Sequence, residues 1–107
     1  MTERGAPTAN TIDVVVAGAA GRMGNRLVAC LRDTPDLRLV AALEAPGHGA
    51  LGRDAGELAG VGRVGVAVGS DAAAAIARDR VLIEFSVPEA SLEHLRLVAR
   101  PGARAVI

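Results

Sequence analysis

Short apolar runs and amphipathic stretches alternate along most of this chain. Residues 12–17 form a short, mostly β-branched run, which predicts a strand buried on both faces of a parallel sheet. Met23, Leu27 and Leu31 then recur every four residues and predict one apolar stripe along a helix. Residues 33–36 are polar and include a proline, which cannot continue a helix, so we expect the helix to end there.

The same alternation continues through the rest of the chain. Residues 37–43 predict a second strand in which Leu37, Leu39 and Ala41 share one face. The remaining predicted elements are a strand at 64–68, a short helix capped by Ser70 or Asp71 and running through Ala77, a strand at 81–85, a helix that starts at Pro88 and buries Leu92, Leu95 and Val98, and a strand at 103–107. Strands that alternate with helices are typically parallel and joined by right-handed crossovers. The pattern therefore predicts an α/β fold with a Rossmann-like, doubly wound parallel sheet.

Three segments fall outside this periodicity or interrupt it. Residues 1–11 are small and polar, contain no apolar core of a signal peptide, and predict a disordered leader. Residues 45–62 are rich in glycine and predict a long irregular loop, which in a compact domain is usually functional. The chain ends inside the apolar run 105–107, so we expect the sheet to be truncated in or after its fifth strand.

The composition narrows both the kind of core and the kinds of partner. Hydrophobic residues make up 50% of the chain, but Phe85 is the only aromatic one, so the core must be built from aliphatic side chains. The formal net charge of +0 gives no basic field to attract nucleic acid. No apolar run approaches the roughly 20 residues that a membrane helix needs. We therefore expect a cytoplasmic protein that binds neither nucleic acid nor membrane.

The residues between the first strand and the first helix form the main candidate site, and they are Gly18, Ala19, Ala20, Gly21, Arg22, Met23 and Gly24. In this spacing Gly18 permits a sharp exit from the strand, Gly21 lets the backbone approach a pyrophosphate, and Gly24 lets the helix pack closely on the sheet. The helix start offers free N–H groups and the positive end of its dipole to phosphates, and Arg22 adds a full charge. The alternative is a plain turn that uses glycine only for its backbone freedom.

Glu44 supports the nucleotide-binding interpretation because of where it stands. It follows Gly24 by 20 residues and lies at the end of the second predicted strand. An acid there can accept hydrogen bonds from both hydroxyls of an adenine ribose, although an isolated glutamate is more often a solvated loop residue. Because its carboxylate repels a 2′-phosphate and Ala45 adds no positive charge, we predict a preference for NADH over NADPH. Arg22 or Arg53 could still restore NADPH binding.

Phe85 and Ser86 follow the fourth predicted strand. Ligands of open parallel sheets bind beyond the carboxyl ends of the strands, so these two residues are candidates for contact with a nicotinamide ring. A core phenylalanine followed by a helix-capping serine explains them equally well.

The other residues with reactive or metal-binding side chains give little support for a catalytic or metal site. Cys30 is the single cysteine, which excludes an internal disulfide and a four-cysteine metal site, and its place in the helical pattern predicts a small core residue. His48 and His94 have no partner at metal-ligand spacing, so we interpret both as surface residues and predict no metal site. Asp54 and Glu57 are interpreted as solvated loop carboxylates rather than as a catalytic acid and base.

Several strings resemble the bacterial dihydrodipicolinate reductase family. They are the turn at 16–24, the strand end at 41–44, the loop at 51–60, and the segment 83–89, in which Glu84 and Ser86 replace the family's Asp and Thr. The resemblance covers residues 12–107. It implies that residues 18–24 hold the pyrophosphate of NADH or NADPH, that Glu44 holds the ribose, and that Phe85 and Ser86 lie near the nicotinamide. Family members often have Arg directly after the ribose acid, and Ala45 departs from that pattern.

The resemblance also implies an activity for the full-length protein, which is expected to be a homotetramer. That activity is the reduction of 4-hydroxy-tetrahydrodipicolinate by NAD(P)H, in the diaminopimelate pathway of lysine biosynthesis. Residues 12–107 would then be an incomplete dinucleotide-binding domain. The substrate domain and every catalytic residue would lie outside this chain, which we expect to be inactive alone. Two alternatives remain: a non-catalytic module that senses NAD(H), and another oxidoreductase with a similar first half, against which the loop at 54–60 counts.

Overall fold

The computed structural model describes residues 11–76 and 80–85, together with the backbone of residues 104–106. The strands within this part are β1 (Ile12–Ala17), β2 (Leu37–Leu43), β3 (Val68–Gly69), β4 (Arg80–Glu84) and β5 (Arg104–Val106). The helices are α1 (Arg22–Arg32), α2 (Ala55–Leu58) and α3 (Ala72–Ala75). The strands pair in parallel, in the order β3-β2-β1-β4-β5. The order reverses at β1, so the predicted doubly wound parallel sheet is confirmed.

The strand predicted at 64–68 is wrong, because pairing with β2 begins only at Val68. The N–H groups of Val64 and Gly65 donate to the carboxylate of Asp54, and Ala67 forms an antiparallel bridge with Asp54. These bonds hold the chain away from the sheet until Val68. Residues 1–10 of the leader predicted at 1–11, the end of the helix predicted at Ala77, and the helix predicted from Pro88 lie outside the described residues.

β1 is buried on both faces, as predicted for the central strand of a parallel sheet. Val14 and Val16 pack into a cluster that includes residues of α1. Val15 packs into a second cluster, on the opposite face, together with Leu82 of β4 and Ile76. Helices therefore cover both faces of the sheet, and the carboxyl end of β1 is fixed from two sides.

β2 contains a bulge that changes which of its residues share a face. Val14 pairs with Leu39 and Val15 pairs with Ala41, so Val40 is an extra residue in the register. Before the bulge, Leu39 contributes to the α1 side of the core, whereas Ala41 contributes to the opposite side. The predicted face shared by Leu37, Leu39 and Ala41 is therefore wrong from residue 41 onward, because a bulge inverts the alternation.

The buried side of α1 is formed by Gly24, Val28 and Leu31, and Leu27 is partly buried against the same core, so the predicted stripe is confirmed at Leu27 and Leu31. Met23 is 54% exposed, and Cys30 is also exposed, so the predictions that both are core residues are wrong. The reason is steric, since position 24 must face the sheet to bring the helix close to it. Each residue turns a helix by about 100°, which carries the neighbours of the buried positions toward solvent.

The segment predicted as an irregular loop is held together by a buried carboxylate. Asp54 is only 7% exposed, which makes its interpretation as a solvated residue wrong, whereas Glu57 is exposed as expected. Asp54 caps α2 by accepting the N–H of Glu57 at 3.1 Å, and it also accepts those of Val64 at 2.9 Å and Gly65 at 2.8 Å. One side chain therefore closes the loop between α2 and β3.

Replacing Asp54 with Ala should loosen this loop, because three N–H groups lose their acceptor. We expect the free energy of local opening to fall by about 2 kcal/mol, so that amide hydrogen exchange of residues 54–65 becomes about 30-fold faster in the full-length protein. The matched control is Asp71→Ala, which removes one exposed capping bond to the N–H of Ala74 at 3.1 Å. Exchange of residues 54–65 at the wild-type rate in Asp54→Ala would contradict this assignment.

The same contribution should depend on pH. Burial alone would raise the pKa of Asp54, but the hydrogen bonds from the N–H groups of Val64, Glu57 and Gly65 outweigh it and lower the pKa below its ordinary value of 3.8. Because the pKa of Asp54 is lower in the folded state than in the unfolded state, its ionised carboxylate stabilises the fold at a pH above the unfolded-state pKa. That stabilisation is lost as the pH falls through the folded-state pKa. The ratio of exchange rates between Asp54→Ala and the wild type should therefore be constant near neutral pH and shrink below pH 3.8. A ratio that persists in acid would show that the charge of Asp54 contributes nothing.

Candidate functional site

The glycine-rich turn leaves the sheet where the strand order reverses. Gly18 follows β1 with a φ of +79°, a conformation that strongly favours glycine. On one side the turn borders the end of β2, and on the other side the N–H of Phe85 donates to the carbonyl oxygen of Ala17 at 2.9 Å. Crevices at this position of an open parallel sheet are where such folds bind their ligands.

Three successive N–H groups fasten the turn to the end of β2. Those of Gly18 and Ala19 both donate to the carbonyl oxygen of Leu43, at 2.9 and 3.2 Å. That of Ala20 donates to Oε2 of Glu44 at 2.8 Å. The acid predicted from sequence therefore lies directly against the predicted turn, and the two are parts of one site.

The two glycines at the start of α1, Gly21 and Gly24, differ in how much room surrounds them. A Cβ on Gly24 would overlap the carbonyl oxygen of Gly18 and lie 2.8 Å from Cα of Ala19, so the close packing of α1 on the turn excludes any side chain. A Cβ on Gly21 would meet only the Gly18 oxygen at 3.5 Å, which is an ordinary contact, and the φ of Gly21 is −79°. Nothing in the described part of the chain therefore requires glycine at position 21.

The amino end of α1 presents unpaired donors. Gly21 is the N-cap and supplies no side chain, and the first turn holds no acidic residue. Within the described residues, the N–H groups of Arg22, Met23 and Gly24 have no hydrogen-bond acceptor, whereas that of Asn25 donates to the oxygen of Gly21. Arg22 is exposed beside them. These donors, the helix dipole and the guanidinium together favour an anionic ligand.

Glu44 keeps one carboxylate oxygen available. Its side chain is 13% exposed, and Oε2 is occupied by the N–H of Ala20. No hydrogen bond to Oε1 occurs among the described residues; the nearest basic group is Nε2 of His48, at 3.9 Å. The interpretation of Glu44 as a solvated loop carboxylate is wrong. Its Oε1 can accept a hydrogen bond from a hydroxyl group of a ligand.

His48 is the site residue that the sequence did not indicate. Its N–H donates to the carbonyl oxygen of Ala45 at 3.1 Å, and this turn brings the imidazole back toward Glu44. Nδ1 accepts the N–H of Ala50 at 3.0 Å, so the proton of a neutral ring is on Nε2. The side chain is 41% exposed, which agrees with a surface residue, but its neighbour is the acid. A separation of four residues from Glu44, across a turn, was the available signal.

Phe85 lies at the carboxyl end of β4 and is 43% exposed, so the alternative of a core phenylalanine is wrong. The other carboxyl-end residue of that strand, Glu84, is buried. Ser86 and His94 lie outside the described residues. The backbone N–H of Phe85 bonds to Ala17, which directly precedes the glycine-rich turn, and the exposed ring of Phe85 can contact an apolar ring of a ligand.

The described residues form neither a metal-binding cluster nor a membrane-spanning helix. No group of three or more His, Cys, Asp or Glu side chains is arranged to hold a metal ion there. No helix in that part of the chain is long and apolar enough to cross a membrane.

Comparisons with known proteins identify the family to which the chain belongs. Residues 12–107 match the family model described as dihydrodipicolinate reductase, N-terminus. A 4-hydroxy-tetrahydrodipicolinate reductase of Magnetococcus marinus is 50% identical over 97 residues, which cover 91% of this chain and 36% of that protein. Reductases of the same name from Alkalilimnicola ehrlichii and Anaeromyxobacter dehalogenans are 45% and 48% identical, over 91% and 88% of this chain. The chain spans about a third of the length of these curated relatives, 36% for the first two and 35% for the third. It belongs to the dihydrodipicolinate reductase family, matching the N-terminal part of its members.

Proposed function

We propose that this chain binds NADH or NADPH and forms the cofactor-binding part of a 4-hydroxy-tetrahydrodipicolinate reductase. The observation that carries the cofactor assignment is the hydrogen bond between Ala20 and Glu44, which joins the glycine-rich turn and the acid into one site. The relatives described above are named as reductases of this substrate, which supports the enzyme over a sensing module or a different dehydrogenase.

The pyrophosphate is assigned to the amino end of α1. The unpaired N–H groups of Arg22 and Met23 supply hydrogen bonds there, and the exposed guanidinium of Arg22 supplies charge. Gly21 completes the assignment, because no contact among the described residues needs glycine at that position and a closely approaching ligand does.

The adenine ribose is assigned to Glu44. Its Oε2 is fixed by Ala20, which orients the carboxylate and leaves Oε1 for the ribose hydroxyls. A carboxylate favours two hydroxyl groups over a phosphate, and Ala45 adds no positive charge, so NADH should bind more tightly than NADPH. The exposed ring of Phe85 is proposed to contact the nicotinamide, and Ser86 is proposed to lie beside it.

When bound, the dinucleotide supplies the hydride for the reduction. The residues of this chain hold and orient it, and α1 directs its dipole toward the anionic part. The groups that bind the substrate and donate a proton are proposed to belong to a substrate domain outside this chain. A homotetramer for the full-length protein stays a prediction.

Replacing Glu44 with Ala should weaken NADH binding, because the ribose hydroxyls lose a charged acceptor. We expect the Kd for NADH to rise about 10- to 100-fold in the full-length protein, measured by fluorescence titration. Glu44→Gln keeps an acceptor for the N–H of Ala20 and removes only the charge, so it should have the smaller effect. Glu57→Ala is the control, since that carboxylate is exposed and lies outside the site. An unchanged Kd in Glu44→Ala would refute the assignment.

The two glycines of the turn should respond differently to alanine. Gly21→Ala is expected to change the free energy of unfolding by less than about 0.5 kcal/mol, while the Kd for NADH rises about tenfold, since the methyl group obstructs the pyrophosphate. Gly24→Ala should instead destabilise the fold by about 2 kcal/mol, because helix and turn are forced apart. Thermal melting and NADH titration of both variants separate the two effects. A Gly21→Ala protein with wild-type affinity would favour the plain-turn alternative.

A further inference from the structure

The imidazole of His48 stands beside the free oxygen of Glu44. Nε2 lies 3.9 Å from Oε1, and both side chains reach solvent. Within the described part of the chain, this is the one basic side chain within 4 Å of Glu44. A basic group thus faces the ribose acid, even though Ala45 occupies the position that directly follows it.

The ring of His48 is held by one hydrogen bond, in which Nδ1 accepts the backbone N–H of Ala50. The backbone N–H of His48 donates to the carbonyl oxygen of Ala45 and closes the turn that carries the ring. Because Nδ1 is an acceptor, Nε2 carries the proton of the neutral ring and serves as a donor. That donor is held on the side of Glu44.

The distance between Nε2 of His48 and Oε1 of Glu44 leaves room for one bridging oxygen atom. At 3.9 Å it is too long for a direct hydrogen bond between the two side chains. A single oxygen atom can bridge them with two bonds of about 2.7–2.9 Å, accepting from Nε2 and donating to Oε1. A hydroxyl group has both capacities, and the atom proposed to bind Oε1 is a hydroxyl of the adenine ribose.

We propose that His48 determines specificity at the 2′ position of the adenine ribose, with Nε2–H as the donor to whatever group that position carries. This inference rests on the proposed function, which places the ribose at Glu44. In NADH the donor meets the 2′-hydroxyl. In NADPH it meets the 2′-phosphate, to which Glu44 is repulsive, and so reduces the disadvantage of that cofactor. His48 thereby takes the role that a basic residue directly after the acid would have.

The two cofactors depend on this donor to different degrees. A hydrogen bond to a phosphate oxygen is charge-assisted and about twice as strong as one to a neutral hydroxyl. Loss of Nε2–H should therefore weaken NADPH binding more than NADH binding. A residue that only positioned Glu44 would affect both cofactors through the same carboxylate, and their ratio would stay constant.

The test is His48→Asn in the full-length protein, with the Kd of NADPH and of NADH measured by fluorescence titration. The Asn side-chain oxygen can still accept the N–H two residues later, as Nδ1 of His48 does, so the turn at Ala50 is kept while the Nε2 donor is removed. We expect the ratio of the NADPH Kd to the NADH Kd to rise about tenfold. His48→Arg, which restores a donor and adds charge, should lower the ratio below the wild-type value.

Arg22→Gln and Arg53→Gln are the comparison variants, since either guanidinium would be the alternative partner of the 2′-phosphate. A ratio that rises in one of them and stays constant in His48→Asn overturns the inference, and so does an equal change in both Kd values. These outcomes differ from failure of the proposed function. If Glu44→Ala leaves the Kd for NADH unchanged, the proposed ribose site itself is wrong. If Glu44→Ala weakens NADH binding but the His48 variants leave the ratio of the two Kd values constant, the ribose site is supported and the proposed role of His48 is wrong.

Discussion

The backbone of α1 approaches the turn after β1 so closely that position 24 has no room for a side chain. A Cβ there would overlap the carbonyl oxygen of Gly18. This approach sets the rotation of the helix, so that Val28 and Leu31 enter the core while Met23 is turned to solvent. It also places the N–H groups of the first helical turn, which have no acceptor among the described residues, at the carboxyl edge of the sheet. The site is therefore a product of packing, because the same contact that completes the core exposes the donors.

Asp54 and Glu44 differ in how many of their carboxylate oxygens accept hydrogen bonds from backbone N–H groups. Asp54 uses both carboxylate oxygens on backbone N–H groups and is buried, which makes it a structural element. Glu44 uses one oxygen on Ala20, and the other accepts no hydrogen bond from the described residues. A carboxylate whose acceptors are all used cannot take a ligand, whereas one that is half used is already oriented for it. Counting the hydrogen bonds of each oxygen thus separates a scaffold residue from a candidate binding residue.

The sequence predicted the features that depend on local pattern. Strands at 12–17 and 37–43, the α1 helix, the turn and the acid at Glu44 follow from apolar periodicity and glycine spacing, and the structure brings the turn and acid into contact. Features that depend on a distant partner were not predictable. The short β3 results from the reach of Asp54 across ten residues to Val64. The place of His48 beside the acid is instead a local feature: a turn closed by Ala45 returns its side chain to a residue four positions earlier, which apolar periodicity does not report.

The extra residue Val40 in β2 has an effect at the far end of that strand. Side chains of a strand point alternately to its two faces, so the parity of the number of residues decides where the last one points. With the bulge, Ala42 lies on the α1 side and Leu43 on the other, which returns Glu44 to the α1 side, where Ala20 is. If the same residues alternated regularly, without the bulge that places Val40 and Ala41 on one face, the acid would lie on the opposite surface of the sheet. The bulge in β2 therefore places Glu44 on the same face of the sheet as the glycine-rich turn.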